Sequence, residues 1–258
     1  MSAHAPLVIA HRGAAASLPE NTLEAFRLAT GPQGADMIEL DIHLTRDGVP
    51  VILHDAKLER TTNGTGFVAE KNWASLKDLD AAYFFDPKKD GAFPRRGRAV
   101  RIPKFEEMLA EFRASPLALE IKPKSEELVH KVVALVKKYG ASQHVIVGSK
   151  HHLISRTLER DYPEIRRFSS QRQVCLLAAE FQSRRKQLRQ TPGQVASVPS
   201  RCLGFSFHRK AWIDFLHARG IEAFFWTVDE PETMRRLRDW GADGIITNNP
   251  KLAKDALQ

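Results

Sequence analysis

The sequence predicts an α/β fold, a TIM (β/α)8 barrel with a small inserted subdomain after the second strand region. Three observations carry that prediction. Short apolar runs alternate with amphipathic stretches from end to end, the mark of parallel βα units. The 258 residues are the usual size for eight such units. The first strand-to-helix turn, His11-Arg12-Gly13-Ala14-Ala15-Ala16, holds a single glycine, whereas a doubly wound dinucleotide-binding sheet would need a Gly-rich turn. That open sheet is the alternative.

In chain order, strands are expected at Leu7 to His11, Met37 to Leu44, Val49 to His54, Leu117 to Lys122, His144 to Ser149, Ile165 to Ser169, Val195 to Val198, Glu222 to Val228 and Gly244 to Thr247. The helices between them carry their own punctuation. Ser125 is a candidate N-cap, with Glu126 and Glu127 in the first turn, apolar residues at 128, 129, 132, 133, 135 and 136, and Gly140 just past the end. That is a 3.6-residue stripe with both ends marked. A later helix opens at Asp229-Glu230-Pro231-Glu232 and closes at Gly241. From Asp55 to Pro103 the rhythm breaks: there is little helical stripe, but a run of turn residues from Thr61 to Gly66 and the aromatics Phe67, Trp73, Tyr83, Phe84 and Phe85. This interval, 55–103, is expected to be a subdomain inserted on the face where the strands end, within a single barrel domain, 1–258.

Composition narrows the function classes. With 43% hydrophobic residues the chain can bury a core, which excludes disorder as its main state. Cys175 and Cys202, the only cysteines, make neither a disulfide framework nor a zinc spacing, so a reducing compartment is the simplest reading. The N-terminus lacks a basic region followed by an apolar one, and no apolar run approaches the roughly 18 residues that span a bilayer. The chain therefore reads as cytoplasmic, without stable membrane insertion; its oligomeric state is open. Its 39 Lys and Arg against 31 Asp and Glu give a net charge of +8, which suits nucleic acid, an acidic membrane surface or an anionic substrate alike. Seven basic residues lie between Lys88 and Lys104, a stretch that either steers anionic substrates or is a solvated loop. Arg184-Arg185-Lys186, with no nucleic-acid motif beside it, reads as a solvated helix face, so no nucleic-acid partner is expected.

The chemistry concentrates in Ile38-Glu39-Leu40-Asp41-Ile42-His43-Leu44, which alternates strictly. In a closed barrel the apolar face meets the helices, so Glu39, Asp41 and His43 point inward. Two buried acids side by side cost several kcal/mol each unless compensated, and a cation is the natural compensation. Leu117-Ala118-Leu119-Glu120-Ile121-Lys122 repeats the pattern and sends Glu120 and Lys122 inward. Three carboxylates on neighbouring strands make an oxygen-rich site suited to a hard divalent cation, Mg²⁺ or Ca²⁺, rather than zinc; a Glu120–Lys122 core ion pair is the bland alternative. His11 and His54 each follow an apolar run, where barrel enzymes place acid/base groups. With Arg12 and Lys122 supplying fixed positive charge, these are the parts needed to bind and cleave a phosphate ester. Pairing of Arg12 with a loop carboxylate is its alternative.

On these residues the chain resembles the glycerophosphodiester phosphodiesterase family, cytosolic bacterial type. His11-Arg12-Gly13, Pro19-Glu20-Asn21-Thr22, Glu39-Leu40-Asp41, His54-Asp55, Leu119-Glu120-Ile121-Lys122 and Trp226-Thr227-Val228 stand in that family's order and spacing, and the likeness runs from Leu7 to Leu252. The resemblance implies hydrolysis of small glycerophosphodiesters such as glycerophosphocholine or glycerophosphoethanolamine, to glycerol 3-phosphate and an alcohol, with Mg²⁺ or Ca²⁺. It implies Glu39, Asp41 and Glu120 as metal ligands, His11 and His54 as the acid/base pair, Arg12 and Lys122 as phosphate contacts, and Trp226 lining the mouth. Asn21 and Thr22 are expected to cap the first helix and brace the His11 loop. The nucleophile is water or the glycerol 2-hydroxyl. Lysophospholipase D activity needs the same site plus an apolar groove. Two departures stand out: Lys150 after Ser149, where the family often has Phe, and Asn248, where it often has Asp. Neither is expected to touch the carboxylates or the histidines, and the lysine favours a smaller or more anionic alcohol.

Overall fold

A computed structural model of the chain describes residues 5–183, 193–202 and 204–258. Eight strands pair in parallel: β1 (Leu7–Ala10), β2 (Met37–Leu44), β3 (Leu117–Ile121), β4 (Val145–Gly148), β5 (Arg166–Arg167), β6 (Val195–Pro199), β7 (Glu222–Trp226) and β8 (Gly244–Thr247). Strands adjacent in sequence pair with one another except β5 with β6, and β8 pairs with β1. The seam between β5 and β6 is thin, closed by a parallel bridge from Phe168 to Val195 and by Ser169 N–H donating to the Val195 carbonyl at 2.8 Å. Helices α1 (Leu23–Thr30), α2 (Phe105–Phe112), α3 (Glu126–Lys138), α4 (His152–Asp161), α5 (Gln171–Ser183), α6 (Lys210–His217), α7 (Pro231–Asp239) and α8 (Pro250–Leu257) follow the strands. The chain is thus a nearly closed TIM barrel. Among the described residues no helix is long and apolar enough to cross a membrane.

Local sequence explains the elements. Ser125 caps α3 by accepting from Leu128 N–H at 3.2 Å, and Gly140 beyond its end takes φ +68°. The α3 stripe buries Leu128, Val129, Val132, Val133 and Val136, with Leu135 partly covered. Pro231 starts α7, and Gly241 ends it at φ +87°. Alternation in the strands sorts the barrel into layers. Ile38, Leu40, Ile42, Leu117, Leu119 and Ile121 pack outward on the helices, while Ile9, Met37, Ala118, Ile146, Val195, Phe224 and Ile246 plug the lumen. Two residues further along, at His11, Glu39, Glu120, Ser197 and Asn248, the inward positions turn polar.

Seam closure depends on Gly193. A Cβ there would sit 2.4 Å from the Phe168 carbonyl carbon and 2.5 Å from the Arg167 oxygen, both backbone atoms that cannot swing away. Gly193→Ala is therefore expected to destabilise the protein by roughly 3 kcal/mol, read as a lowered urea midpoint; an unchanged midpoint would mean that the seam is not needed for closure.

Val49 to His54 departs from the barrel reading. The strand Pro50–Ile52 is antiparallel to the end of β2, with Ile42 opposite Ile52 and Leu44 opposite Pro50. It is a hairpin return: β2 overshoots the barrel top, turns through residues 45–49, and comes back. Beyond it, residues 55–103 hold a 3-10 turn, Val68–Glu70, and a short helix, Trp73–Leu76. Leu58, Val68, Leu76, Ala82, Val100 and Ile102 form a small core with Val51 and Leu53. The seven basic residues from Lys88 to Lys104 are exposed or half-buried on this segment. Arg96 is stacked on Tyr83 and Phe93 at 4.1 and 4.0 Å, and Arg95 pairs with Glu24 at 3.5 Å.

Candidate active site

The carboxylates sit where alternation sends them. Glu39 and Asp41 on β2 and Glu120 on β3 bring ligand oxygens within 4.8 Å of one another above the apolar plug. Burial, then the neighbouring Asp41 and Glu120, push the Glu39 carboxyl well above its usual range. A buried all-oxygen set under that strain fits a hard divalent cation, whose charge would relieve it. Lys122, one residue past β3, lies 3.3 Å from both Asp41 Oδ1 and Glu120 Oε2. Burial opposes its charge, but the two carboxylates outweigh that and raise its pKa.

The turn after β1 is built around the same acids. Arg12 takes φ +54° and donates its backbone N–H to Glu39 Oε2 at 2.9 Å. Gly13 follows at φ +86°, where a Cβ would meet Ala25 and Phe26 at 2.9 Å, so the chain can double back only with glycine. The Arg12 Nη1 donates to Glu20 Oε1 at 2.9 Å, whereas its buried Nε, 3.4 Å from Asp41 Oδ2, makes no hydrogen bond. Thr22 caps α1, accepting from Ala25 N–H. Asn21 does not cap; it holds Asp41, donating to Oδ2 at 2.8 Å and accepting the Asp41 N–H at 3.3 Å. Its own N–H donates to the Arg12 carbonyl, which braces the turn.

His11 and His54 reach the cavity by different routes. His11 directly follows β1, while His54 arrives on the hairpin return, anchored where Leu53 N–H donates to the Asp41 carbonyl and His43 Nε2 meets the His54 carbonyl at 3.1 Å. Burial and Arg12 lower the His11 pKa against the opposing pull of Asn248, Asp41 and Glu20. The His54 Nδ1 lies 2.5 Å from Asp55 Oδ1, and the other Asp55 oxygen accepts from Arg60. Arg60 also clamps Glu20, at 2.6 and 2.9 Å. Burial opposes charge on Glu20 and Asp55, but Arg60 with Arg12 or His54 holds each at about 2. Because these folded pKa values lie below the unfolded ones, the stability they give is present above the ordinary carboxylate range and is lost as pH falls through it toward about 2. The urea midpoint is expected to drop between about pH 5 and about pH 2, and Glu20→Gln should make that drop smaller while lowering the midpoint at neutral pH.

His11, Arg12, Glu39, Asp41, His54, Glu120, Lys122 and Trp226 all line one cavity of about 560 Å³ at the C-terminal mouth. Trp226, 42% exposed, stands at its rim. Ser149 and Lys150 line it too, so the first departure faces the same space as the catalytic candidates. The second departure was misjudged: Asn248 Oδ1 lies 2.8 Å from His11 Nδ1. The misjudgement has a physical source, because β8 and β1 are 237 residues apart in sequence and become neighbours only when the barrel closes. Arg60 escaped the sequence reading, and Glu20 and Asp229, though part of its motifs, were given no role at the site. One wall of the cavity is apolar, formed by Phe168, Val174, Ala178, Pro199, Phe205 and Phe207, with both cysteines beside it. Arg184-Arg185-Lys186 lies outside the described residues.

The profile of the glycerophosphoryl diester phosphodiesterase family matches residues 11–252. The chain is 32% identical over 251 residues to the glycerophosphodiester phosphodiesterase of Caldanaerobacter subterraneus, covering 95% of both chains. It is 31% identical over 274 residues to a human lysophospholipase D, covering 96% of this chain and 85% of that one. A solved phosphodiesterase of Oleispira antarctica, in complex with the product sn-glycerol-3-phosphate, superposes at a TM-score of 0.76 with 26% identity, covering 97% of this chain and 96% of that one.

Proposed function

The chain belongs to the glycerophosphoryl diester phosphodiesterase family and is a phosphoric diester hydrolase, and from that premise we propose that it releases glycerol 3-phosphate from small glycerophosphodiesters, with a divalent cation and two histidines. The observation that carries the reading is the convergence of three carboxylates, two histidines, Arg12 and Lys122 on one cavity. Glu39, Asp41 and Glu120 would hold Mg²⁺ or Ca²⁺, and a bound ion supplies charge neutralisation at the phosphate oxygens. Arg12 and Lys122, both lining the cavity, supply fixed positive charge for the phosphate. One histidine takes the proton of the nucleophile, water or the glycerol 2-hydroxyl, and the other protonates the departing alkoxide. Trp226 at the rim bounds the alcohol. The two free cysteines beside the cavity are in keeping with a reducing, cytoplasmic setting.

The direct test is release of glycerol 3-phosphate from glycerophosphocholine and glycerophosphoethanolamine in Mg²⁺, Ca²⁺ or EDTA. Metal-dependent release supports the reading; binding without turnover under every condition would sink it. The apolar wall favours a second reading, lysophospholipase D activity, because Phe168, Val174, Phe205 and Phe207 offer an acyl chain a surface that glycerophosphocholine does not use. Lysophosphatidylcholine assayed beside glycerophosphocholine decides between them by kcat/KM.

A further inference from the structure

Asn248 is built into the site. Its Nδ2 donates to Asp229 Oδ2 at 2.7 Å, and its backbone N–H donates to Asp229 Oδ1 at 2.8 Å, where Thr247 Oγ1 also donates. A carboxylate only accepts, so the side of the amide that faces Asp229 is its NH2 group. The side that faces His11 is therefore the carbonyl oxygen, 2.8 Å from Nδ1. An amide oxygen has no proton to give, so Nδ1 carries the proton of the neutral ring. The lone pair is then on Nε2, the nitrogen left to the cavity that His11 lines.

His54 is held differently. Its Nδ1 meets a full carboxylate, Asp55, itself locked by Arg60. Positive charge on the ring meets a hydrogen-bonded carboxylate at His54 and a hydrogen-bonded neutral dipole at His11, where Asp41 and Glu20 act only from further off. A carboxylate at 248 would bring two negative oxygens to the 2.7 Å contact that the amide now makes with Asp229. The pair thus carries one negative charge, set one residue back from the ring.

We infer that Asn248, clamped by Asp229, is a positioning residue that fixes His11 with its proton on Nδ1, making His11 the general base and leaving His54 with Asp55 as the general acid. The role assignment rests on the hydrolase reading above; the ring's proton position does not. In the reaction, His11 Nε2 takes the proton of the nucleophile's O–H as its oxygen bonds phosphorus. The bond from phosphorus to the alcohol oxygen breaks with its electron pair on that oxygen, which takes a proton from His54 Nε2.

The test begins with ¹⁵N chemical shifts of the imidazole nitrogens at about pH 8, assigned by subtracting the spectrum of His11→Gln. The expected spectrum has a protonated Nδ1 and an unprotonated Nε2 for His11, and Asn248→Leu should lose that preference. A His11 ring protonated on Nε2 in the wild type would overturn the inference. This measurement needs no turnover, so a correct tautomer without diester hydrolysis would refute the hydrolase reading alone. In kinetics, Asn248→Leu should lower kcat by about 10²-fold with KM within threefold, and Asn248→Asp alone should also be impaired. The exchanged pair, Asn248→Asp with Asp229→Asn, should recover to within about tenfold of wild type, because it restores one charge and one amide. Failure of the exchange to recover, in a protein that melts like wild type, would reduce Asn248 to a structural contact. With a p-nitrophenolate leaving group, which needs no acid, the loss in Asp55→Asn should shrink and that in Asn248→Leu should persist; the reverse would invert the two roles.

Discussion

Stripping divalent cations with EDTA is expected to lower glycerol 3-phosphate release by at least about 10³-fold, the effect of losing ~4 kcal/mol of charge stabilisation at the phosphate. Glu39→Gln, Asp41→Asn and Glu120→Gln should each approach that loss. Stability should not follow activity. Glu39 is pushed above its usual pKa by burial and by the charges of Asp41 and Glu120, and glutamine keeps the oxygen that accepts the Arg12 N–H. Without metal, Glu39→Gln is therefore expected to be as stable as wild type or more so, because it removes an unfavourable buried charge. Asp41→Asn should instead destabilise by roughly 3 kcal/mol, since Lys122 and Arg12 lose a 1% exposed partner. Thermal melts in EDTA beside activity in Mg²⁺ separate the two effects. A Glu39→Gln enzyme with full metal-dependent activity would remove Glu39 from the ligand set.

His11→Ala and His54→Ala are each expected to lower kcat by about 10² to 10⁴-fold with little change in KM, because proton transfer belongs to the transition state and not to substrate binding. The double variant should fall little below the worse single one, since a base without its acid leaves the same slow step. Losses that multiply would place the two histidines in separate steps. A loss below tenfold at either position would end its assignment.

Much of this was legible in the chain because it depends on local periodicity. Two-residue alternation in Ile38 to Leu44 and Leu117 to Lys122 decided which side chains face the lumen, since a strand turns successive residues to opposite sides whatever packs around it. Apolar stripes and caps decided the helices, and Ser125 and Gly140 stand where the ends of α3 fall. Charge repulsion among Glu39, Asp41 and Glu120 followed once the strands were neighbours.

The tertiary structure decided what depends on closure and on long returns of the chain. Pro50–Ile52 reads as a ninth barrel strand by composition; only its pairing, antiparallel to the end of β2, shows that His54 arrives from above on a hairpin. The partner of His11 and the clamp on Asp55 came from elsewhere as well. Arg60, bonded to Asp55, reaches Glu20 across 40 residues, and Asn248 meets His11 across 237. No periodicity encodes such contacts, because they arise when β8 closes on β1 and loops from distant strands converge on one mouth. The sequence by itself determined the fold class and the candidate residues that the structure gathers around one cavity. Closure of the barrel brought Asn248 to His11 and gathered the candidate residues at one mouth, because β8 becomes a neighbour of β1 only in the folded chain.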